Sequence, residues 1–311
     1  MRSKRIVFMG TPEFALPSLQ ALCENGCNVV GAFTQPDRPK GRGNKTEPTP
    51  VKAACLEAGI PVFQFAQIKS PEGVAALREL HPDILITAAF GQMLSQEILD
   101  VPPMGCINVH ASLLPQYRGA APVQWAVIRG ERVTGVTTML TDIGMDTGAI
   151  LLQDALTLDP EETAGTLMAR LALLGGPLLV RTLQAWCAGT LQPTPQDDAQ
   201  ATKARPLRSR HEIINWTLPG REVVQWIRGL SPAPGAVTSL EDQRFKCYQA
   251  AVVDTALAGG MAGKPGEIIT ANPKQGLWVA AGDGVEVFGE KLKAEIFLIA
   301  ETRKGGRCGI N

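Results

Sequence analysis

The chain has 311 residues, of which 45% are hydrophobic and 19% charged, a composition typical of a folded globular protein with about two domains. The 30 Lys and Arg balance the 30 Asp and Glu, so the net charge neither indicates nor excludes a nucleic-acid partner. The 7 cysteines form no CxxC pair, which argues against a zinc or redox motif and predicts free thiols in a reducing compartment. We find no secretory segment and no apolar run of membrane length, and therefore expect a cytoplasmic protein without a membrane partner.

Strands and helices alternate along the first half of the chain, which predicts an α/β domain with a Rossmann-like parallel sheet. A strand over residues 5–9 is closed by Gly10, and Thr11 is a candidate cap for the helix that follows. This opening has no G-x-G-x-x-G motif, so the sequence does not favour a dinucleotide site. The other predicted strands cover residues 28–34, 60–63, 83–90 and 134–140 and the stretch around Asn108, and the other helices cover 51–58, 71–80, 95–99 and 123–129.

Residues 35–45 are rich in proline and glycine, which predicts an exposed loop without regular structure. The cations of this loop outnumber its one acidic residue, Asp37, and are Arg38, Lys40, Arg42 and Lys45. Exposed cations of this kind can meet phosphate groups, whereas the alternative is an ordinary solvated basic loop.

Two polar side chains, Asn108 and His110, stand two positions apart in an apolar run, so a strand would place both on one face. The next predicted strand leads into a loop, residues 141–148, that contains Asp146. Because the carboxyl ends of parallel strands meet at one edge of a sheet, we expect the three side chains to converge there. An amide, an imidazole and a carboxylate could stabilise a developing negative charge and move a proton. The alternative is a core strand with two satisfied polar residues, and the neighbouring Cys106 is expected to serve packing.

The second half of the chain predicts a linker and a second domain. Residues 163–189 have the apolar spacing of a long helix region with a break at 175–177, and residues 191–208 contain three prolines typical of a linker. Cations toward the end of this linker are Lys203, Arg205, Arg208 and Arg210. A helix over 221–230 and short strands over 236–240, 245–253, 267–271, 276–280 and 285–288 predict a small, OB-like β-barrel. The expected domains are residues 1–190 and 209–311, with the linker between them.

The run Asn108-Val-His-Ala-Ser-Leu-Leu-Pro115, followed by Asp146-Thr-Gly148, resembles the signature of the folate-dependent formyltransferases. The resemblance implies that Asn108, His110 and Asp146 are the catalytic set, that 10-formyltetrahydrofolate is the formyl donor, and that no metal is required. It also implies that the donor contacts Ser112, Leu113, Leu114, Pro115, Phe90 and Met93.

Three further motifs, residues 8–14, 33–43 and 116–122, resemble the branch of this family whose formyl acceptor is initiator methionyl-tRNA. This likeness implies that the C-terminal domain and the basic loop contact the tRNA, with Arg42 as the strongest candidate beside Arg38, Lys40 and Lys45. We expect a monomer. Two alternatives remain, namely formyl transfer to a small amine such as an amino sugar or glycinamide ribonucleotide, and a non-catalytic folate- or RNA-binding protein.

Overall fold

The computed structural model of the chain describes residues 2–40, 45–240, 243–253, 263–272, 276–283, 286–289 and 308–309. The chain divides into two compact units that each combine several segments. The first unit contains residues 1–119, 133–156 and 168–203, and the second contains 120–132, 157–167 and 204–311. The domain limits expected at residues 190 and 208 stay a prediction.

A seven-stranded sheet forms the centre of the first unit. The strands up to residue 157 are β1 (Arg5–Gly10), β2 (Asn28–Thr34), β3 (Arg38–Lys40), β4 (Lys45–Glu47), β5 (Val62–Gln64), β6 (Ile84–Ala88), β7 (Cys106–His110), β8 (Val133–Leu140) and β9 (Ile150–Thr157). Their order in the sheet is β5-β2-β1-β6-β7-β8-β9, and every residue of β6 is buried, as the central strands of such sheets require.

The strand directions confirm the α/β prediction and correct one part of it. Strands β5, β2, β1, β6 and β7 pair in parallel, but β8 runs antiparallel to β7, with Ile107 opposite Leu140. The expectation of a wholly parallel sheet is therefore wrong. A helix over residues 122–128 connects β7 to β8 and is followed by only a short turn. Strand β8 therefore begins next to the carboxyl end of β7 and runs in the opposite direction.

The helices are α1 (Leu16–Glu24), α2 (Pro50–Glu57), α3 (Pro71–Glu79), α4 (Gln96–Leu99), α5 (Pro122–Ile128), α6 (Ala164–Cys187), α7 (Ser209–Glu212) and α8 (Gly220–Leu230). Thr49 and Ser70 cap α2 and α3, because each side-chain oxygen accepts a main-chain N–H of the first turn. The predicted cap at Thr11 is wrong. Its hydroxyl instead donates to the carbonyl of Phe90 at 3.0 Å and accepts from the main-chain N–H of Gln35, so it joins three loops.

The predicted basic loop contains regular structure. Its flanks form a two-stranded antiparallel hairpin, β3 with β4, in which Arg38 lies opposite Glu47 and Pro39 opposite Thr46. The prediction of an irregular loop was wrong because a proline is tolerated in an edge strand, where its missing N–H needs no partner. The positions between the two strands lie outside the described residues.

Helix α6 is continuous through the predicted break at residues 175–177, with Pro177 inside it. A Cβ on Gly176 would lie 2.7 Å from the carbonyl oxygen of Pro17, and one on Gly175 would lie 3.1 Å from a methyl group of Val109. These glycines therefore serve close packing rather than a turn. By length and composition α6 could cross a membrane, so the expectation that no such apolar run occurs is wrong, but 56% of its apolar window is buried inside the protein.

The second unit is rich in β-structure, as predicted. Its strands are β10 (Ala236–Leu240), β11 (Gln243–Cys247), β12 (Ala251–Val252), β13 (Ile268–Asn272), β14 (Gly276–Ala280), β15 (Glu286–Gly289) and β16 (Cys308–Gly309), in sheets of order β11-β10-β16 and β12-β15-β14-β13. The single strand predicted over residues 245–253 is two strands in different sheets. Buried Trp216, Ile227 and Leu230 belong to its core, and a closed barrel stays a prediction.

Candidate active site

Strand β7 presents Asn108 and His110 on one face, as the alternation of a strand requires. Thr87, opposite Asn108 on β6, donates its hydroxyl to the Asn108 side-chain oxygen at 2.8 Å. The oxygen of the amide is thereby occupied, and the half-buried Asn108 Nδ2 is left as a donor without a partner among the described residues. An amide held in this way can meet a substrate oxygen.

His110 lies between two acceptors. Its Nε2 is 3.0 Å from the carbonyl oxygen of Tyr117, and its Nδ1 is 3.6 Å from Asp146 Oδ1. The His110 side chain is 8% exposed and that of Asp146 18%, so solvent screens the pair little. The other carboxylate oxygen of Asp146 accepts the main-chain N–H of Gly119 at 2.8 Å. The prediction that His110 and Asp146 come together is therefore met by the geometry.

The loop that carries Asp146 reaches the site by a different route from the one expected. Because β8 is antiparallel to β7, the loop leaves the sheet beside Cys106, where the N–H of Thr141 donates to the Cys106 carbonyl, and not at the carboxyl edge of β7. It then folds back, with Asp146 at a φ of 55° in the left-handed region. The predicted convergence of parallel strand ends is thus wrong, although His110 and Asp146 do lie beside each other.

The same loop is stabilised from inside. Asp142 Oδ1 accepts the Thr147 hydroxyl at 2.7 Å and the Gly144 N–H at 3.0 Å. A Cβ on Gly148 would lie 1.8 Å from the carbonyl oxygen of Leu140, so only glycine fits there. These contacts join the two ends of the loop, and Ile143 and Met145 between them are exposed.

The residues expected to contact the donor fall into two groups. Met93 is 55% exposed, and Leu113 and Pro115 are half-buried, so their side chains are accessible to a ligand. Phe90 and Leu114 are buried, and Phe90 packs in the core of the sheet domain with Val7 and Phe33. Ser112 is also buried, and its hydroxyl donates to the carbonyl of Gln116 at 2.7 Å, so it shapes the turn after β7.

A polar cluster of Asp37, Lys52, Gln64 and the Gln35 carbonyl lies at the start of the basic hairpin, since Asp37 directly precedes β3. Lys52 Nζ donates to Asp37 and, at 2.8 Å, to Gln64 Oε1, while Gln64 Nε2 donates to Asp37 Oδ1 at 2.7 Å. The Lys52 hydrogen bond lowers the pKa of Asp37 below its ordinary value. Of the predicted tRNA contacts, Arg38 is exposed on β3, Lys40 and Lys45 are paired main-chain positions at the hairpin end, and Arg42 lies outside the described residues.

Cys106 is buried beside the site, and burial raises the pKa of its thiol to about 11. A thiol of that kind is a poor nucleophile at neutral pH, in accord with the packing role expected for it. Within the described ranges, no group of three or more His, Cys, Asp or Glu side chains could hold a metal ion. The groups available for chemistry at this site are thus an amide donor, an imidazole and a carboxylate.

Sequence reasoning missed several residues that support these groups. Thr87 orients Asn108, the Tyr117 carbonyl faces His110, and Gln196 contacts the Asp146 loop. Tyr117 lies in the motif of residues 116–122, which resembles the formyltransferase family. Thr87 and Gln196 do not belong to any recognisable sequence motif. Their roles depend on contacts between segments 21 and 50 residues apart.

Comparison with known proteins places this site in a family. A model described as "Formyl transferase" matches residues 4–183, and one described as "Formyl transferase, C-terminal domain" matches residues 206–296. Methionyl-tRNA formyltransferase of Trichlorobacter lovleyi is 48% identical over 284 residues, which cover 91% of this chain and 88% of the relative. That of Citrifermentans bemidjiense is 45% identical over 317 residues, covering 99% and 98% of the two chains.

A solved structure shares the fold. The N-formyltransferase of Helicobacter canadensis, in complex with folinic acid and dTDP-3-aminofucose, superposes with a TM-score of 0.66, covering 93% of this chain and 99% of that chain. It is 17% identical in sequence, so this likeness concerns the fold alone. From the two family models and from relatives 45–48% identical over nine-tenths or more of its length, the chain belongs to the methionyl-tRNA formyltransferase family.

Proposed function

We propose that this enzyme transfers the formyl group of 10-formyltetrahydrofolate to the α-amine of the methionine carried by initiator tRNA. The observation that best supports this function is how much of the chain is similar to the curated methionyl-tRNA formyltransferases. The relatives named as methionyl-tRNA formyltransferases match 91% and 99% of the chain, including the C-terminal unit. The folate-dependent formyltransferases use 10-formyltetrahydrofolate as their formyl donor.

In this reaction the uncharged amine attacks the formyl carbon, a new C–N bond forms, and the bond from that carbon to N10 of the folate breaks. Negative charge develops on the formyl oxygen during the attack, and Asn108 Nδ2 is the donor that would stabilise it. Removing one such donor typically lowers kcat by about 10²–10³. The amine loses a proton and the leaving N10 gains one, so the net proton balance is zero.

We assign the handling of this proton to His110 and Asp146. Tyr117 accepts from Nε2 of the ring, which leaves Nδ1, at 3.6 Å from Asp146, as the nitrogen not engaged in a hydrogen bond. Nδ1 and the carboxylate would together receive the proton of the attacking amine and return one to the folate. The donor would lie against Met93, Leu113 and Pro115, whose accessible apolar surfaces suit a flat heterocycle.

The acceptor contacts would be electrostatic. Arg38 is exposed on β3, and the other cations of this part of the sequence are Lys40, Arg42 and Lys45. Arg205, Arg208 and Arg210 are exposed in the second unit. Cations such as these bind the phosphates of a nucleic acid and make its affinity fall with added salt.

The test is formyl transfer from labelled 10-formyltetrahydrofolate to methionyl-tRNA, an amino-sugar nucleotide and glycinamide ribonucleotide, with the wild-type protein and the variants Asn108→Ala and Arg42→Ala. We expect transfer to the tRNA, a loss of about 10²-fold or more in kcat for Asn108→Ala with folate affinity within about tenfold, and a raised KM for tRNA in Arg42→Ala. Transfer to a small amine with no effect of Arg42→Ala would identify the alternative acceptor class. Folate binding without formyl transfer to any of the three acceptors would support the non-catalytic binding protein instead.

We further propose that the enzyme acts in the cytoplasm and as a monomer. Six of the seven cysteines are free thiols, which agrees with a reducing compartment, and they are Cys23, Cys27, Cys55, Cys106, Cys187 and Cys247. Light scattering at assay concentration tests the oligomeric state.

A further inference from the structure

Part of the predicted linker lies against the active site. Thr194 and Ile150 exchange two main-chain hydrogen bonds of 2.8 Å each. Thr202 accepts from the main-chain N–H groups of Tyr117, at 2.8 Å through its hydroxyl, and of Arg118, at 2.9 Å through its carbonyl. Residues 194–202 thus contact both the turn that faces His110 and the loop that carries Asp146.

Gln196 makes the most direct of these contacts. Its Nε2 donates to the carbonyl oxygen of Asp146 at 2.9 Å and to that of Gly148 at 2.7 Å. Its Oε1 accepts from Arg118 Nε at 2.9 Å, and Arg118 also contacts Asp198 at 2.8 Å. The Gln196 side chain therefore joins the catalytic loop to the turn that follows β7.

The chemistry of these contacts calls for a glutamine. An arginine side chain can only donate, so the amide oxygen of Gln196 must face Arg118 and the NH₂ group must face the two carbonyls. Two acceptors then use both N–H bonds of one NH₂ group. A glutamate could accept from Arg118 but would set a carboxylate oxygen against two carbonyl oxygens, and a shorter side chain would not span the gap.

We propose that Gln196 is a positioning residue for catalysis, which holds the main chain at Asp146 and Gly148 so that the Asp146 carboxylate stays beside His110. The inference rests on the proposed function for its catalytic readout. Asp146 has a left-handed main-chain conformation, which an aspartate adopts less readily than a glycine and which needs support from its surroundings. Gln196 supplies that support from outside the loop, as Gly119 does through the carboxylate.

The experiment compares Gln196→Glu and Gln196→Ala with Gln200→Glu and Gln200→Ala in the full-length protein. Gln200 is a matched control, because it is exposed and lies in the same segment, and within the described residues its Nε2 donates only to Asp197, at 2.9 Å. Steady-state formyl transfer gives kcat and KM for both substrates. Amide hydrogen exchange of peptides covering residues 141–149 reports how firmly the loop is held.

We expect both Gln196 variants to lose about 10–100-fold in kcat with KM for each substrate within about threefold, and to exchange faster in the loop. The Gln200 variants should stay within about twofold of the wild type in all readouts. Unchanged kcat, or unchanged loop exchange, in Gln196→Glu would overturn the proposal. Gln196→Glu keeps the size of the side chain and its Arg118 contact. If Gln196→Ala does not fold, the result for Gln196→Glu therefore decides whether the proposal stands. If the wild type transfers no formyl group, the proposed function fails, and loop exchange still decides whether Gln196 holds the loop.

Discussion

The hydroxyl of Thr87 on β6 donates to the side-chain oxygen of Asn108 on β7 at 2.8 Å, and the two residues are also paired in the main-chain register. In this orientation of the amide the oxygen is bound to Thr87, so the NH₂ group is the end that can donate to a substrate. The distinction matters since an amide that rotates by 180° would present an acceptor to the developing oxyanion.

The variant Thr87→Val keeps the shape of the side chain and removes this donor. We expect kcat to fall about tenfold, and the free energy of unfolding to fall by about 1–3 kcal/mol from the unpaired buried oxygen. Thr87→Ser keeps the hydroxyl and is the matched control. Formyl-transfer kinetics and urea unfolding measure the two effects, and equal kcat in Thr87→Val and Thr87→Ser would contradict the role in orientation.

Lys52 binds Asp37, the residue that directly precedes the basic hairpin. Lys52→Ala removes its contacts with Asp37 and Gln64, so we expect the hairpin to lose its fixed position and KM for methionyl-tRNA to rise about 3–10-fold. KM for the folate donor should not change. Arg78→Ala is the control, because it removes the exposed ion pair with Glu97 at 3.0 Å, and an equal effect of both variants would argue against a special role of the cluster.

The same cluster predicts a dependence of stability on pH. The Lys52 hydrogen bond lowers the pKa of Asp37 from its ordinary 3.8, so Asp37 binds protons less readily in the folded protein than in the unfolded chain. Its contribution to stability is therefore present above about pH 4 and is lost as the pH falls through the folded pKa. We therefore expect wild type to have a higher urea midpoint than Asp37→Asn at pH 6. The two midpoints should approach each other as the pH is lowered to 3. A constant difference would mean that the charge of Asp37 is not involved.

Gly148 lies where the loop that carries Asp146 closes against the end of β8. In Gly148→Ala the new methyl group would meet the Leu140 carbonyl oxygen at 1.8 Å, which forces the main chain to move. We expect a loss of about 1–3 kcal/mol in the free energy of unfolding together with a fall in kcat, because Asp146 lies two residues away. Gly59→Ala is the control, because its new methyl group would meet no atom within 4 Å, and it should leave kcat nearly unchanged even though its φ of 68° costs some stability. Calorimetry and initial rates give both quantities.

Cys106 should be inert toward alkylation in the native enzyme. With a thiol pKa of about 11, roughly one molecule in 10³ carries the thiolate at pH 8, and the side chain is also buried. Native protein treated with iodoacetamide should keep its activity and show no label on Cys106 by peptide mass spectrometry. Labelling should appear after unfolding in urea, and rapid native labelling with loss of activity would indicate a reactive thiol.

The sequence predicted the parts of the site that depend on local order. Asn108 and His110 share a face because they are two positions apart on one strand. The motif around them resembles that of the folate-dependent formyltransferases. The sequence could not predict the antiparallel entry of β8, since strand patterns do not encode direction. Nor could it predict Thr87 or Gln196, whose contacts come from distant segments. The pairing of residues 38–40 with 45–47 was missed because proline also occurs in edge strands.

The contacts of residues 194–202 determine where this chain could be recombined with another. A junction placed at residue 190 would take away Gln196 and Thr202, so a grafted partner would have to provide new hydrogen bonds for the Asp146 and Tyr117 segments. A junction beyond Lys203 would keep these bonds with the sheet domain. Residues 120–132 and 157–167 also belong to the second unit, so exchanging that whole unit would need further junctions around these two segments.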